Sequence, residues 1–178
     1  MTLIITPARP QDLDSIVDTM RANQHDPSLF QQPRAMLASH LDEFLVARRT
    51  AEGPEVLGSL QVHMHPGGSI EILAVSVRPD VHGQGVGSAL MRAAIVRARE
   101  LADTRIWLGT AKPGYFGRLG FVRMSRWSLP LRVLLAKLPK VVQQPFERWL
   151  PSIFGRHVFM HLAACDFGGD PDRSTARP

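Results

Sequence analysis

Apolar positions change their period around one short segment of the chain. From Ile72 to Val77 the residues are β-branched or small throughout, as in a strand buried on both faces, and Arg78-Pro79-Asp80 ends the run because proline has no amide to give a ladder. Beyond Gly87 the apolar residues recur at helical spacing. Leu90, Ala94, Ala98 and Leu101 form a stripe that Met91 and Ile95 widen, and Arg92, Arg97 and Arg99 fall outside it, which predicts an amphipathic helix packed on a sheet. Between strand and helix stands His82-Gly83-Gln84-Gly85-Val86-Gly87.

The same reading extends outward from this unit. Leu3 to Thr6 is a short apolar strand, and Pro10-Gln11-Asp12 opens a helix whose apolar positions are Leu13, Ile16, Val17 and Met20. Asn23 to Pro33 turns polar, as in a loop, and Ala35 to Leu41 reads as a short second helix. Phe44 to Arg48 and Glu55 to Met64 form a hairpin across Glu52-Gly53-Pro54, and His65-Pro66-Gly67-Gly68 turns the chain into the central strand. After the long helix come a strand at Arg105 to Leu108, a short helix at Pro113 to Leu119 and a strand at Val122 to Trp127. The expected fold is α/β (α+β), in the order β-α-β-β-β-α-β-α-β, with a central mixed, mostly antiparallel sheet flanked by helices. Gly155 to Leu162 alternates like a last strand. Between these, Leu129 to Phe154 carries helically spaced leucines cut by Pro130, Pro139, Pro145 and Pro151, and is read as an insertion lying over the fold. The domain is placed at residues 1–166 and a loose tail at 167–178.

Three glycines at alternate positions let the backbone turn sharply and approach a ligand, and the first amides of the following helix have no intrahelical partner. Such a corner suits a phosphate or pyrophosphate. A P-loop would need Lys and then Ser or Thr after its last glycine, but Gly87 is followed by Ser88-Ala89; a dinucleotide fingerprint begun at Gly83 meets Ser88, and one begun at Gly85 meets Leu90. The stretch resembles instead the central motif of the GCN5-related N-acetyltransferases, Gln/Arg-x-x-Gly-x-Gly/Ala after a strand ending in a Leu-Ala-Val-like triplet. Val75-Ser76-Val77 holds the triplet position, and His82 stands where Gln or Arg is usual. A second block, Tyr115-Phe116-Gly117-Arg118-Leu119-Gly120-Phe121, resembles the family's aromatic-aromatic-x-x-x-Gly-Phe segment.

The resemblance implies acetyl-CoA as the acyl donor. Its cofactor-binding residues would be Val75, Ser76, Val77, His82, Gly83, Gln84, Gly85, Val86, Gly87, Ser88, Tyr115 and Phe116, the strand amides serving the pantetheine arm if the neighbouring strand splays away. It also implies that the region from Asn23 to Leu41 closes over the acceptor. Glu71-Ile72 before the triplet and Leu129-Pro130 after the second block are similar to amino-acid N-acetyltransferases of the N-acetylglutamate synthase type, although the cysteine-containing tail of that subgroup is absent.

Size and composition narrow the picture. At 178 residues and 44% hydrophobic, one domain is expected. No apolar run approaches the length of a membrane span, and Met1 to Pro10 lacks a basic start before an apolar core, so a cytoplasmic protein without stable membrane insertion is expected. Cys165 is the only cysteine, which excludes an internal disulfide and a cysteine-based metal site, and its distance from both motifs gives no support to a covalent intermediate. The net charge of +5 fits a polyanionic cofactor; arginines spread from Arg9 to Arg177 without interleaved aromatics argue against a nucleic-acid surface.

For catalysis, Glu71 is the first choice of base, as the one carboxylate on the central strand and the match to the catalytic glutamate of the family's histone-acetylating branch. The alternative is a strand-end carboxylate in solvent. His63 and His65, on one face of the adjoining strand, are the second choice; a metal there is disfavoured, with no cysteine or acidic partner nearby in sequence. His25 and His40 read as loop or surface residues. Many relatives place a tyrosine acid at the second aromatic position, but this chain has Phe116 there, leaving Tyr115 as a substitute one place earlier, with packing against the cofactor arm or core as its competing role. Phe121 reads as core. Two function classes follow: an N-acetyltransferase acting by direct attack on the amine of a small molecule, with an amino acid as one candidate, or a non-catalytic acyl-CoA-binding module. The proline-broken insertion would serve as a lid or homodimer contact, and a membrane-surface role ranks last.

Overall fold

The computed structural model describes residues 3–23, 32–50, 53, 55–101, 105–125 and 158–163. His25, Trp127, the expected insertion at 129–154, Cys165 and the tail at 167–178 lie outside the described residues. Seven strands, β1 (Ile4–Pro7), β2 (Phe44–Arg48), β3 (Gly58–Met64), β4 (Ile70–Val77), β5 (Ile106–Thr110), β6 (Phe121–Met124) and β7 (Val158–Leu162), form one sheet in the order β1-β2-β3-β4-β5-β7-β6. Every described pairing is antiparallel except that of β4 with β5. The mixed, mostly antiparallel sheet and its flanking helices are as the sequence predicts.

Helix α1 (Leu13–Ala22) follows a 3₁₀ turn at Pro10–Asp12, and α2 (Arg34–Ser39) precedes another at Leu41–Glu43. Together they cover one face, where Leu13, Ile16, Met20 and Leu37 pack on Phe44, Val46 and Val56. Helix α3 (Val86–Leu101) covers the other, setting Leu90, Met91, Ala94 and Ala98 against Leu60, Val62, Ile70, Ile72, Ile106 and Leu108. Its apolar stripe ends one turn before the sequence pattern does: Leu101 is exposed, because the periodicity runs on past the core that α3 covers. The short α4 (Pro113–Gly117) places Phe116 in that core beside Phe121, their rings edge-on.

Boundaries move where pairing partners decide them. Residues Glu55 to Leu57 are not strand, although the Leu57 amide donates to Ala47 O at 2.8 Å; Arg105 precedes β5, its carbonyl accepting from the Ile70 amide at 3.0 Å. The strand expected to begin at Val122 begins at Phe121 and ends at Met124.

One feature of the α1–α2 side left no trace in the periodicity. Arg48 and Asp12 are both buried and form an ion pair; Asp12 Oδ2 also accepts the Arg9 amide at 2.6 Å, and Arg48 Nη1 donates to Gly53 O at 2.9 Å. The pair ties the start of α1 to the end of β2. Removing one partner strands a buried charge, so Arg48→Met should destabilise the fold by about 3–5 kcal/mol, read by urea unfolding. The double variant with Asp12→Asn should recover part of that loss. A single variant within about 1 kcal/mol of the parent would show that the pair does not hold this corner.

Candidate active site

The site begins where β4 and β5 stop pairing. They align only at Ile70 with Ile106 and Glu71 with Trp107; beyond these the strands part. A cleft of about 380 Å³ lies between them, lined by Ile72 to Val77 on β4, Leu108 to Thr110 on β5, and the glycine segment. This is the splay that the strand amides require, and it explains why Leu73, Ala74, Val75 and Val77 are only partly buried where a strand covered on both faces was expected. A bulge accompanies it: from Ser59–Ser76 to Gln61–Leu73, β4 supplies one residue more than β3. Ala74 adopts φ 54° there, a left-handed conformation that disfavours a side chain by roughly 1–2 kcal/mol.

At the far end of β4 the chain turns through a 3₁₀ element at Pro79–Val81 into α3. Gly83 and Gly85 have φ of 78° and 83°, and a Cβ at either would meet nothing within 4 Å, so both bend the backbone and leave its outer side open. The Gln84 amide donates to Val81 O, and the Ala89 amide to Gly85 O at 2.9 Å. Among the described residues, the amides of Gly83, Gly85, Val86, Gly87 and Ser88 have no such partner. Such a cradle of amides at the N-terminus of a 16-residue helix is suited to an anion.

Neighbouring side chains stiffen the cradle. His82 does not reach forward: its Nε2 donates back to Val77 O at 2.9 Å. Asn23, just past α1, also holds Val77 O at 2.9 Å, and its amide nitrogen lies 3.2 Å from Ser76 Oγ. Asn23 and Lys112 both line the cleft, and neither was a sequence candidate; each sits singly in a loop, where periodicity carries no signal. Arg78 binds Asp80 and Glu55. Its hydrogen bond to Asp80, and then that to Glu55, raises the guanidinium above its ordinary value, while the Arg78 hydrogen bond lowers the Asp80 carboxyl. Asp80 therefore adds stability above the ordinary carboxylate range that is lost as pH falls through its lowered value, a small effect at so exposed a site.

Tyr115 belongs to this end of the cleft. A methyl group at Gly87 would stand 2.9 Å from its hydroxyl oxygen and 3.6 Å from Val77 Cγ2. Glu71 lies six residues back from Val77 along β4, about 20 Å at the strand rise, next to the lining residue Ile72 but not itself in the cleft wall. Phe116 lines the cleft while its ring is buried in the core.

Glu71 is not a solvated strand end. It is 7% exposed, at the last paired position before the splay, and its Oε2 lies 2.9 Å from His65 Nε2. His65 is buried and stacks on Trp107, with ring centroids 5.5 Å apart. His63 meets His65 edge-on at 4.7 Å, and its Nδ1 lies 2.9 Å from the Glu43 carboxylate, which also accepts Gln61 Nε2 at 2.6 Å. The acidic partners missing near these histidines in sequence thus arrive through the fold, from the turn after α2 and from β4. Even so, no group of three or more side chains suited to hold a metal ion occurs among the described residues. His40, at the end of α2, is partly buried, with its ring 6.1 Å from that of His63.

Residues 12–121 match the Acetyltransferase (GNAT) family, more than half of the chain. The chain belongs to this family. GNAT proteins are acetyltransferases that use acetyl-CoA. The fold is shared with Rv2747 from Mycobacterium tuberculosis, solved in complex with CoA and NLQ, at 21% identity and TM-score 0.73 over 89% of this chain and 98% of that one. It is shared too with N-acetylglutamate synthase from Neisseria gonorrhoeae, complexed with coenzyme A and N-acetyl-glutamate, at 20% identity and TM-score 0.71 over 90% of this chain. This GNAT chain spans only about a third of the synthase, 35% of its length. Ard1 from Thermoplasma volcanium is similar at 16% identity and TM-score 0.62, over 90% of this chain and 96% of that one. No helix among the described residues is long and apolar enough to cross a membrane.

Proposed function

We propose that this acetyltransferase moves the acetyl group of acetyl-CoA directly to the amine of a small molecule, with α-amino acids first among the candidates. The observation that carries the reading is the parting of β4 and β5 immediately after Glu71: the buried carboxylate stands one residue before Ile72, where the cleft lining begins on β4, and the glycine segment lies beyond Val77. In this reading the pyrophosphate sits against the amides of Gly83 to Ser88, and the pantetheine arm runs along Val75 to Val77, where released strand amides polarise the thioester carbonyl. Tyr115 and Phe116 wall the cleft, and His82 braces the corner through Val77.

The amine nitrogen attacks the carbonyl carbon as Glu71 accepts its proton; the C–N bond forms, the C–S bond breaks, and the sulfur leaves as thiolate. Phe116 offers no proton, and Tyr115 stands at the cradle end. A thiol's reference pKa of about 8.5 makes thiolate a tolerable leaving group at neutral pH without a dedicated acid. The shared fold with N-acetylglutamate synthase, complexed with coenzyme A and N-acetyl-glutamate, favours an amino-acid acceptor.

Free-thiol release from acetyl-CoA, measured with a panel of α-amino acids, polyamines and peptides, tests the proposal. Release dependent on one small amine is expected. Tight acetyl-CoA binding without release from any amine would favour the acyl-CoA-binding module, the reading that Phe116 supports.

A further inference from the structure

Glycine inside a strand weakens it, and it is kept where the backbone or a close neighbour requires it. Gly58, at the start of β3, is of that kind: a Cβ there would stand 2.8 Å from Ser76 O. Gly109, inside β5, is not. It is absent from the glycines of positive φ, and a Cβ there would touch, among the described residues, only the Phe159 ring at 3.7 and 3.9 Å, which is ordinary van der Waals contact. The ring does not cover the position either, since Gly109 is exposed while Trp107, Leu108 and Thr110 around it are buried. A side chain would fit here and the strand would gain by it. The bare backbone therefore points to something outside the chain that comes close.

The place of Gly109 says what that is. Side chains alternate along β5, so Leu108 turns into the core under α3, and position 109 shares the opposite side of the sheet with Trp107, which is aligned with Glu71. On β4 the next residue of that side after Glu71 is Leu73, as their partners His63 and Gln61 on β3 show. Two more residues of β4–β5 register would set Leu73 opposite Gly109. Instead the strands have parted, and both residues line the cleft. The opening between them lies on the side where Ala74 packs against the α1–α2 cluster, and Asn23 lines the same cleft from the end of α1. It is one same-side step, about 7 Å, beyond the aligned Glu71 and Trp107.

We propose that Gly109 is the size gate for the acceptor. Its missing side chain leaves room for the substituents on the carbon next to the attacking nitrogen, as in an α-amino acid, when the amine approaches the thioester from the α1–α2 side. The gate rests on the small-amine acceptor proposed above and adds the residue that limits its bulk. Acetyl-CoA, held along Val75 to Val77 and by the amide cradle in that reading, does not need the bare position.

Gly109→Ala and Gly109→Val refill the position in two steps. With the amine identified by the thiol-release screen, the KM for that amine should rise about two- to fivefold in Gly109→Ala and about tenfold or more in Gly109→Val, while the KM for acetyl-CoA stays at the parent value. A loss that grows with the side chain and is confined to the amine is not what a packing defect gives; a melting curve and an acetyl-CoA titration for each variant check the fold and the cofactor site. Should Gly109→Val fail to fold, Gly109→Ala carries the test alone, because its methyl group makes only ordinary contact with Phe159. A parent-like KM for the amine in the largest variant that folds, or a rise in the KM for acetyl-CoA instead, overturns the gate and leaves the acceptor reading standing. Thiol release by the parent from no amine overturns both.

Discussion

Gly85→Glu should weaken acetyl-CoA binding by about two orders of magnitude, the largest effect on affinity expected of any single substitution in the chain. Two causes act together. At φ 83° any side chain is strained by roughly 1–2 kcal/mol, and a carboxylate built on the open side of the cradle faces the place where a pyrophosphate belongs. Charge-assisted hydrogen bonds from backbone amides contribute about 1.5–3 kcal/mol each, so losing one or two suffices for the predicted change. Gly85→Ala isolates the strain, because a methyl group there meets nothing within 4 Å. It should lose thermal stability but bind far better than the glutamate variant. Titration calorimetry with acetyl-CoA, alongside a melting curve for each variant, gives the comparison. Equal affinity in Gly85→Glu and the parent would mean that the anion binds elsewhere.

The local half of this site was legible in the sequence and the relational half was not. The change from strand to glycine corner to α3 is written in period and residue type, and Phe44 to Arg48 is strand from end to end as predicted. What no residue announces is that β5 leaves β4 after one pair of aligned residues beyond its start. The splay depends on where β5, β7 and the β4 bulge settle, so its consequence, the cleft, appears only in three dimensions. The same holds for Glu71. In sequence a solvated strand end stood as the alternative to a catalytic base, but the hairpin register brings His63 opposite it, the turn brings His65 onto its carboxylate, and β5 brings Trp107 alongside. Arg48 shows the reverse risk of reading by type. An arginine closing a strand reads as surface, whereas here Asp12, 36 residues earlier, makes its burial tolerable.

Glu71→Gln should lower kcat by about 10²–10⁴, the usual worth of a positioned general base. The substitution keeps the shape of the side chain and a hydrogen-bonding group toward His65, so acetyl-CoA affinity and the melting temperature should change little. The defect should be deepest at low pH, where the acceptor is mostly ammonium, and should shrink as pH approaches the amine's own pKa and free amine becomes available without help. An α-amino group, near 8, would recover earlier than a lysine-like amine near about 10.4, so the pH at which variant and parent converge reports on the acceptor. Profiles of kcat/KM against pH for both proteins supply the measurement. If the two profiles have the same shape and height, Glu71 is a structural partner of His65, and the proton goes instead to water or to a histidine of the adjoining strand.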